Sequence, residues 1–102
     1  MQLTLGKIAE AVGGSCPPDA AEQTITSVVS DSRQIVAGCL FVALKGKRFD
    51  GHAYIGEAFR QGAVAALVSE HVDGLENPQL VCADTRLAMG LLARFWRQQW
   101  SS

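Results

Sequence analysis

Two short polar clusters flank one apolar run in the middle of the 102-residue chain, and they hold most of the side chains able to do chemistry. The first is Ser30-Asp31-Ser32-Arg33, with two hydroxyls, a carboxylate and a guanidinium in four residues. The second is Lys45-Gly46-Lys47-Arg48-Phe49, three cations around a glycine with an aromatic behind them, followed by Asp50-Gly51-His52. Hydroxyls and turn amides can read the edge of a base or a ribose, while Arg grips a phosphate as a fork and Lys as a point charge. The pattern fits a pocket for a phosphorylated or otherwise anionic small molecule. It fits equally an Asp/Ser turn beside a solvated basic loop, and composition alone does not separate the two.

Other chemistries are excluded by spacing. A P-loop needs G-x-x-x-x-G-K-[ST], so that backbone amides cradle phosphates while Lys and a hydroxyl serve the γ-phosphate and Mg²⁺. Here Gly46-Lys47 is followed by Arg48, and Phe41 stands where the first glycine belongs. His52 and His71 have no partner at metal-ligand spacing, so no metal site is expected. Asp31, Ser32 and His52 have the composition of a triad, but no nucleophile elbow surrounds the serine. No catalytic residue is assigned to the chain.

The elements that must carry these clusters follow from periodicity. Thr4 caps a helix over 5–12, with Leu5, Ile8, Ala9 and Val12 on one stripe that Gly13-Gly14 ends. Residues 24–30 are rich in β-branched side chains and predict a strand, Ile25 and Val29 facing one way and Val28 the other. Cys39 to Leu44 is a short apolar run behind Gly38, predicting a buried strand over 40–44. Asp50 caps a helix over 53–61, with Tyr54, Ile55, Ala58 and Phe59 inward and Gly62 as its terminating residue. His52 is expected to pack or bond within that helix. Strands over 64–68 and 79–82 and a helix over 84–99 follow, the last capped by Asp84, with Leu87, Leu91 and Phe95 inward beside Ala88 and Leu92. A short strand at 14–16 is also expected. This is a single small α/β domain over residues 1–100, a mixed sheet of about four to six strands packed with helices.

Composition agrees. Apolar residues make up 48% and charged residues 19%, as in a folded chain. A net charge of −1 supplies no field to draw nucleic acid or an anionic membrane. Cys16, Cys39 and Cys82 are odd in number and lack C-x-x-C spacing, which fits free thiols in a reducing cytosol. Lys7 and Glu10 interrupt the N-terminal apolar positions, so neither a signal peptide nor a membrane span is read there.

The order D-S-R, then G-x-L-F-V-A-L-x-G-x-R-x-D-G-H, then G-A-x-A-A-L-V resembles the N-terminal domain of the Mur ligase family, over Leu3 to Trp100. The segment Pro78 to Val81 with Asp84 to Gly90 is most similar to the branch that joins D-alanyl-D-alanine to UDP-N-acetylmuramoyl-tripeptide, and less to the branch that adds the preceding residue. The resemblance implies a cytoplasmic, monomeric, ATP- and Mg²⁺-dependent ligase of peptidoglycan synthesis. In it this domain holds the UDP end of a UDP-N-acetylmuramoyl-peptide, and a central ATP-binding domain does the phosphoryl chemistry. It places the UDP contacts at Ser30, Ser32 and Arg33 and at Lys47, Arg48 and Phe49. Arg33 serves either the ligand or a carboxylate such as Asp31, and Asp50 is a cap rather than a ligand. Two other classes remain open: a stand-alone UDP-sugar-binding module, and an interaction module using Phe95, Trp96 and Trp100. In the ligase reading these aromatics pack near the junction with the central domain.

Overall fold

The structure is a computed structural model that describes residues 3–46 and 50–100, apart from the side chains of residues 99 and 100. In chain order the elements are β1 (Leu3–Thr4), α1 (Leu5–Val12), β2 (Thr24–Ile25), β3 (Ser27–Val29), β4 (Cys39–Val42), α2 (Ile55–Arg60), β5 (Ala65–Val68), β6 (Gln79–Val81) and α3 (Thr85–Trp100). Short 3₁₀ turns occupy Pro18–Ala20, Ser32–Gln34 and Gly51–Tyr54.

Parallel and antiparallel pairing both occur, as expected for a mixed α/β domain, but they are divided between two small sheets. The main sheet is parallel, in the order β3-β4-β5-β6, with Val28 opposite Leu40, Phe41 opposite Ala66 and Leu67 opposite Leu80. β1 and β2 form an antiparallel pair beside it. The strand expected at 14–16 is one antiparallel bridge, Ser15 exchanging both backbone hydrogen bonds with Val81 at the free edge of β6.

Alternation along the buried strands builds a three-layer core. Leu40, Val42, Ala65 and Leu67 face α1 and α3, joined by Leu5, Ile8, Val12, Ala88 and Leu92. Cys39, Phe41, Ala43, Ala66 and Val68 face α2, joined by Ile55 and Ala58. The alanines of β5 leave room for helices on both sides, the close packing their small volume favours.

Local chemistry sets the helix ends. Thr4 Oγ1 accepts from the Lys7 N–H, and Asp84 Oδ1 accepts from the N–H groups of Arg86 and Leu87, satisfying donors that lack intrahelical partners. At the end of α2, Gly62 adopts φ 119°, the Ala63 N–H bonds the Ala58 carbonyl and the Gly62 N–H bonds that of Phe59. This is a Schellman closure on the expected glycine. Gln79 is buried at the start of β6, where its amide accepts from the Val72 N–H and donates to the Val72 carbonyl, each at 2.8 Å, pinning the preceding loop.

Three expectations are corrected. The strand at 24–30 breaks at Thr26, whose N–H bonds the Gly38 carbonyl. The two halves enter different sheets, so Ile25 and Val28 share one core while Val29 packs on the other. In α3 the buried side is Thr85, Ala88 and Leu92, with Phe95 half-buried, whereas Leu87 is 65% and Leu91 39% exposed. Tyr54 is 41% exposed rather than inward, because it ends a 3₁₀ turn and α-helical counting back from Ala58 crosses a change of pitch.

Candidate functional site

All four strands of the main sheet run the same way, so the chain leaves β3, β4 and β5 on one edge. That carboxyl edge is where open parallel sheets bind ligands. Both polar clusters read from the sequence follow such strand ends.

The turn after β3 is built by its own side chains. Asp31 Oδ1 accepts from the Arg33 backbone N–H at 2.9 Å and from Arg33 Nε at 3.1 Å, and Oδ2 accepts from Nη2 at 3.0 Å. Arg33 therefore pairs with Asp31 in the side-on fork, the carboxylate partner weighed for it from the sequence. Three of its five N–H groups are not used by this pair. The guanidinium, followed by the backbone N–H, holds the Asp31 carboxyl below the usual carboxylate range, and the carboxylate in turn raises Arg33. Ser30, Asp31, Ser32, Arg33 and Tyr54 line an open cleft of about 520 Å³. Tyr54 is the member that the sequence reading missed as a site residue, having assigned it to the inward helix face.

After β4 the chain loops out and returns. Lys45 and Asp50 form an antiparallel bridge, and the Gly51 N–H donates to the Leu44 carbonyl at 2.7 Å. Lys47, Arg48 and Phe49, three of the six expected contacts, lie outside the described residues. Asp50 is the cap expected of it: Oδ1 accepts from the His52 N–H at 3.0 Å and lies 2.7 Å from His52 Nδ1. The His52 backbone, then its ring, lower the Asp50 pKa.

His52 does not stay within its own helix. Its ring is 10% exposed and reaches the end of β5, where Nε2 accepts from the Ser69 N–H at 3.0 Å with Ser69 Oγ at 3.3 Å. Asp50, His52 and Ser69 thus have the composition of a hydrolytic triad, but the Nε2 lone pair is already taken by a backbone amide. It is not available to accept a hydroxyl proton, as a general base must.

Among the described residues no group of three or more His, Cys, Asp or Glu is arranged to hold a metal ion. No helix of the described residues is long and apolar enough to cross a membrane. The cysteines are free, and burial pushes all three thiols up, away from nucleophilic thiolate. Phe95 and Trp96 are half-buried against the core, so much of the aromatic surface expected near the C-terminal end of α3 is used internally; the Trp100 side chain lies outside the described set.

Fold and site together define a small α/β domain that presents two polar loops on the carboxyl edge of a parallel sheet. Residues 24–97 match the family described as "Mur ligase family, catalytic domain", and the chain belongs to that family. It is 43% identical over 99 residues to the UDP-N-acetylmuramoyl-tripeptide–D-alanyl-D-alanine ligase of Escherichia coli, covering 97% of this chain and 21% of that protein. A UDP-N-acetylmuramoyl-L-alanyl-D-glutamate–2,6-diaminopimelate ligase of Parabacteroides distasonis is also 43% identical, over 74 residues, 71% of this chain and 15% of that one. In three dimensions it matches MurF of Acinetobacter baumannii at a TM-score of 0.85 and 37% identity, covering 97% of this chain and 22% of MurF. The chain therefore spans only 15% to 21% of the length of these curated relatives.

Proposed function

We propose that residues 1–100 are the UDP-substrate-binding, N-terminal domain of a MurF-type ligase, which joins D-alanyl-D-alanine to UDP-N-acetylmuramoyl-tripeptide in the cytoplasm. The observation that carries this is the likeness to the dipeptide ligase along 97% of the chain, α1 included. The equal identity to the diaminopimelate ligase over a shorter stretch makes the same domain of that enzyme the second reading.

A carboxylate is a poor electrophile, and the complete ligase overcomes this by phosphorylating it with ATP, so that the attacking amine displaces phosphate from an acyl phosphate. The residues present do not fit ATP and Mg²⁺, since the sequence carries no P-loop. That step belongs to a central domain outside these residues, with the complete ligase acting as a monomer. The work of this domain is to hold the nucleotide end. Ser30 and Ser32 read the uridine and Arg33 serves from its unused N–H groups. Lys47 and Arg48 neutralise the diphosphate, and Phe49 packs on the base. The polar cleft after β3 and the cation content of the loop after β4 support this assignment.

An amide chemical-shift titration with UDP, and UMP as control, tests it. Exposed charge contacts contribute only about 0–1 kcal/mol each, so a dissociation constant on the order of 0.1–10 mM is expected. Ser32→Ala combined with Arg48→Ala should abolish binding and leave the fold intact, and the chain alone should not hydrolyse ATP. Shifts confined to α3, or none at millimolar UDP, would overturn the proposal.

A further inference from the structure

We propose that the outer edge of β3 and the flank of α3 form a docking groove for an extended, acidic and apolar peptide segment of another protein, which joins the main sheet as a fifth strand. The inference is independent of the UDP-binding reading. β1 pairs with the chain as far as Ile25, and β3, which follows, is the end strand of the main sheet. The Thr26 N–H bonds the Gly38 carbonyl, and backbone groups alternate sides along a strand. Val28 therefore also faces β4, while Ser27 and Val29 turn their N–H and C=O groups outward. At the opposite edge Ser15 takes up the backbone of Val81. Exposed edges are usually guarded by a charge, a proline or a bulge, and Thr26 to Ser30 contains neither charge nor proline.

α3 turns this edge into a groove. Met89, Ala93, Trp96 and Arg97 stand at i, i+4, i+7 and i+8, and with Val28 they line a space of about 570 Å³ beside the strand. The stripe runs about 12 Å along the helix, room for about four residues of an added strand. Alternate side chains of that strand would face the stripe, and its apolar lining selects aliphatic ones. Ser27 lines the groove too, and its Oγ is buried with no hydrogen-bond partner among the described residues, at the edge where an added backbone would bring one. Charge narrows the occupant further. α3 carries Arg86, Arg94 and Arg97 and no acidic residue, and among the described residues no carboxylate pairs with Arg97. A carboxylate on the segment would meet Arg97 on the groove wall. A second copy of this chain, paired edge to edge, would instead set two such helices side by side, cation against cation.

The probe is the acetylated and amidated peptide Glu-Thr-Val-Thr-Val-Thr-Glu, which as a strand sets both valines and both glutamates on one face. A glutamate at each end serves Arg97 whichever way the strand runs. The control peptide has lysine in place of each glutamate. Titrated into the chain, the probe should shift the Ser27 and Val29 amides and slow their exchange with solvent, with a dissociation constant on the order of 0.1–1 mM. The lysine peptide should bind roughly threefold or more weakly. Ser27→Pro removes an outward N–H and no bond to β4, and should abolish the binding. Arg97→Glu, a change on an exposed residue, should reverse the order of the two peptides. Should Ser27→Pro fail to fold, Arg97→Glu still decides. No response at Ser27 and Val29 at millimolar peptide, or an unchanged order of the peptides in Arg97→Glu, refutes the proposal. Protection of the same two amides that rises with protein concentration alone also refutes it, and assigns the edge to a second copy.

Discussion

Replacing Gly51 and Gly90 by alanine, one at a time, should move stability in opposite directions. A Cβ at position 51 would lie 2.9 Å from Ala43 Cα, 2.9 Å from the Leu44 nitrogen and 3.0 Å from the Leu44 oxygen. Ordinary carbon contacts are about 3.5–4.0 Å, so two backbone segments would have to part by roughly 0.5–1 Å. Overpacking of that kind costs about 1–3 kcal/mol, and the stiffer unfolded chain returns about 0.4–1. The expected net loss is about 1–2 kcal/mol. Gly90 lies on the exposed side of α3 with nothing within 4 Å of its would-be Cβ. There alanine should add about 0.5–1 kcal/mol through helix propensity. Urea denaturation reads both. With a slope of about 1–3 kcal/mol/M, the midpoint should fall by roughly 0.5–1 M for Gly51→Ala and rise by a few tenths molar, roughly, for Gly90→Ala. Equal shifts in one direction, or an unchanged midpoint for Gly51→Ala, would refute the claim that this glycine is required by close backbone approach.

Two further outcomes follow from the packing and the electrostatics. Leu92→Ala should cost about 2–5 kcal/mol and Leu91→Ala under about 1 kcal/mol in thermal or urea unfolding, since only Leu92 is buried; equal losses would restore the leucine stripe read from the sequence. Asp50 is held below its ordinary value of 3.8, first by the His52 backbone N–H and then by its ring. A depressed folded-state pKa means that its stabilisation is complete above the unfolded value and is lost as pH falls from about 4 through the folded one. Asp50→Asn, which still caps, should flatten that part of the acid limb in pH-dependent denaturation, and an unchanged limb would place the effect elsewhere.

What the sequence made legible was local. The caps at Thr4, Asp50 and Asp84 and the closing glycine at 62 act within a few residues, so side-chain chemistry reveals them without the fold. The corrected features depend on neighbours far along the chain. Nothing in the β-branched run at 24–29 shows that Thr26 gives its N–H to Gly38 and passes the strand from one sheet to the other. In α3, residue size favours Leu87 and Leu91 as the buried stripe. Of the inward face read from the sequence, the helix turns Ala88 and Leu92 fully into the core shared with α1 and leaves Leu87 and Leu91 exposed, a choice set by the space between two helices and a sheet rather than by residue size.

The site divides in the same way. Asp31 with Arg33 is a contact two residues long and could be weighed from sequence, even though its outcome could not. Tyr54 joins the cleft because a 3₁₀ turn precedes α2, and no periodicity count distinguishes that pitch over four residues. Ser69 is the clearest case. Its strand ends there by composition, yet its bond to His52 exists only because β4 and β5 are parallel neighbours, which brings their carboxyl ends together. A contact between residues 52 and 69 is therefore a consequence of topology. It becomes readable once the β4–α2–β5 unit is recognised, because the turn that enters the helix must then pass the end of the next strand. The aspartate, glycine and histidine at 50–52 acquire separate reasons from that one fact: a cap for the turn, a surface without a side chain against β4, and a ring long enough to reach β5.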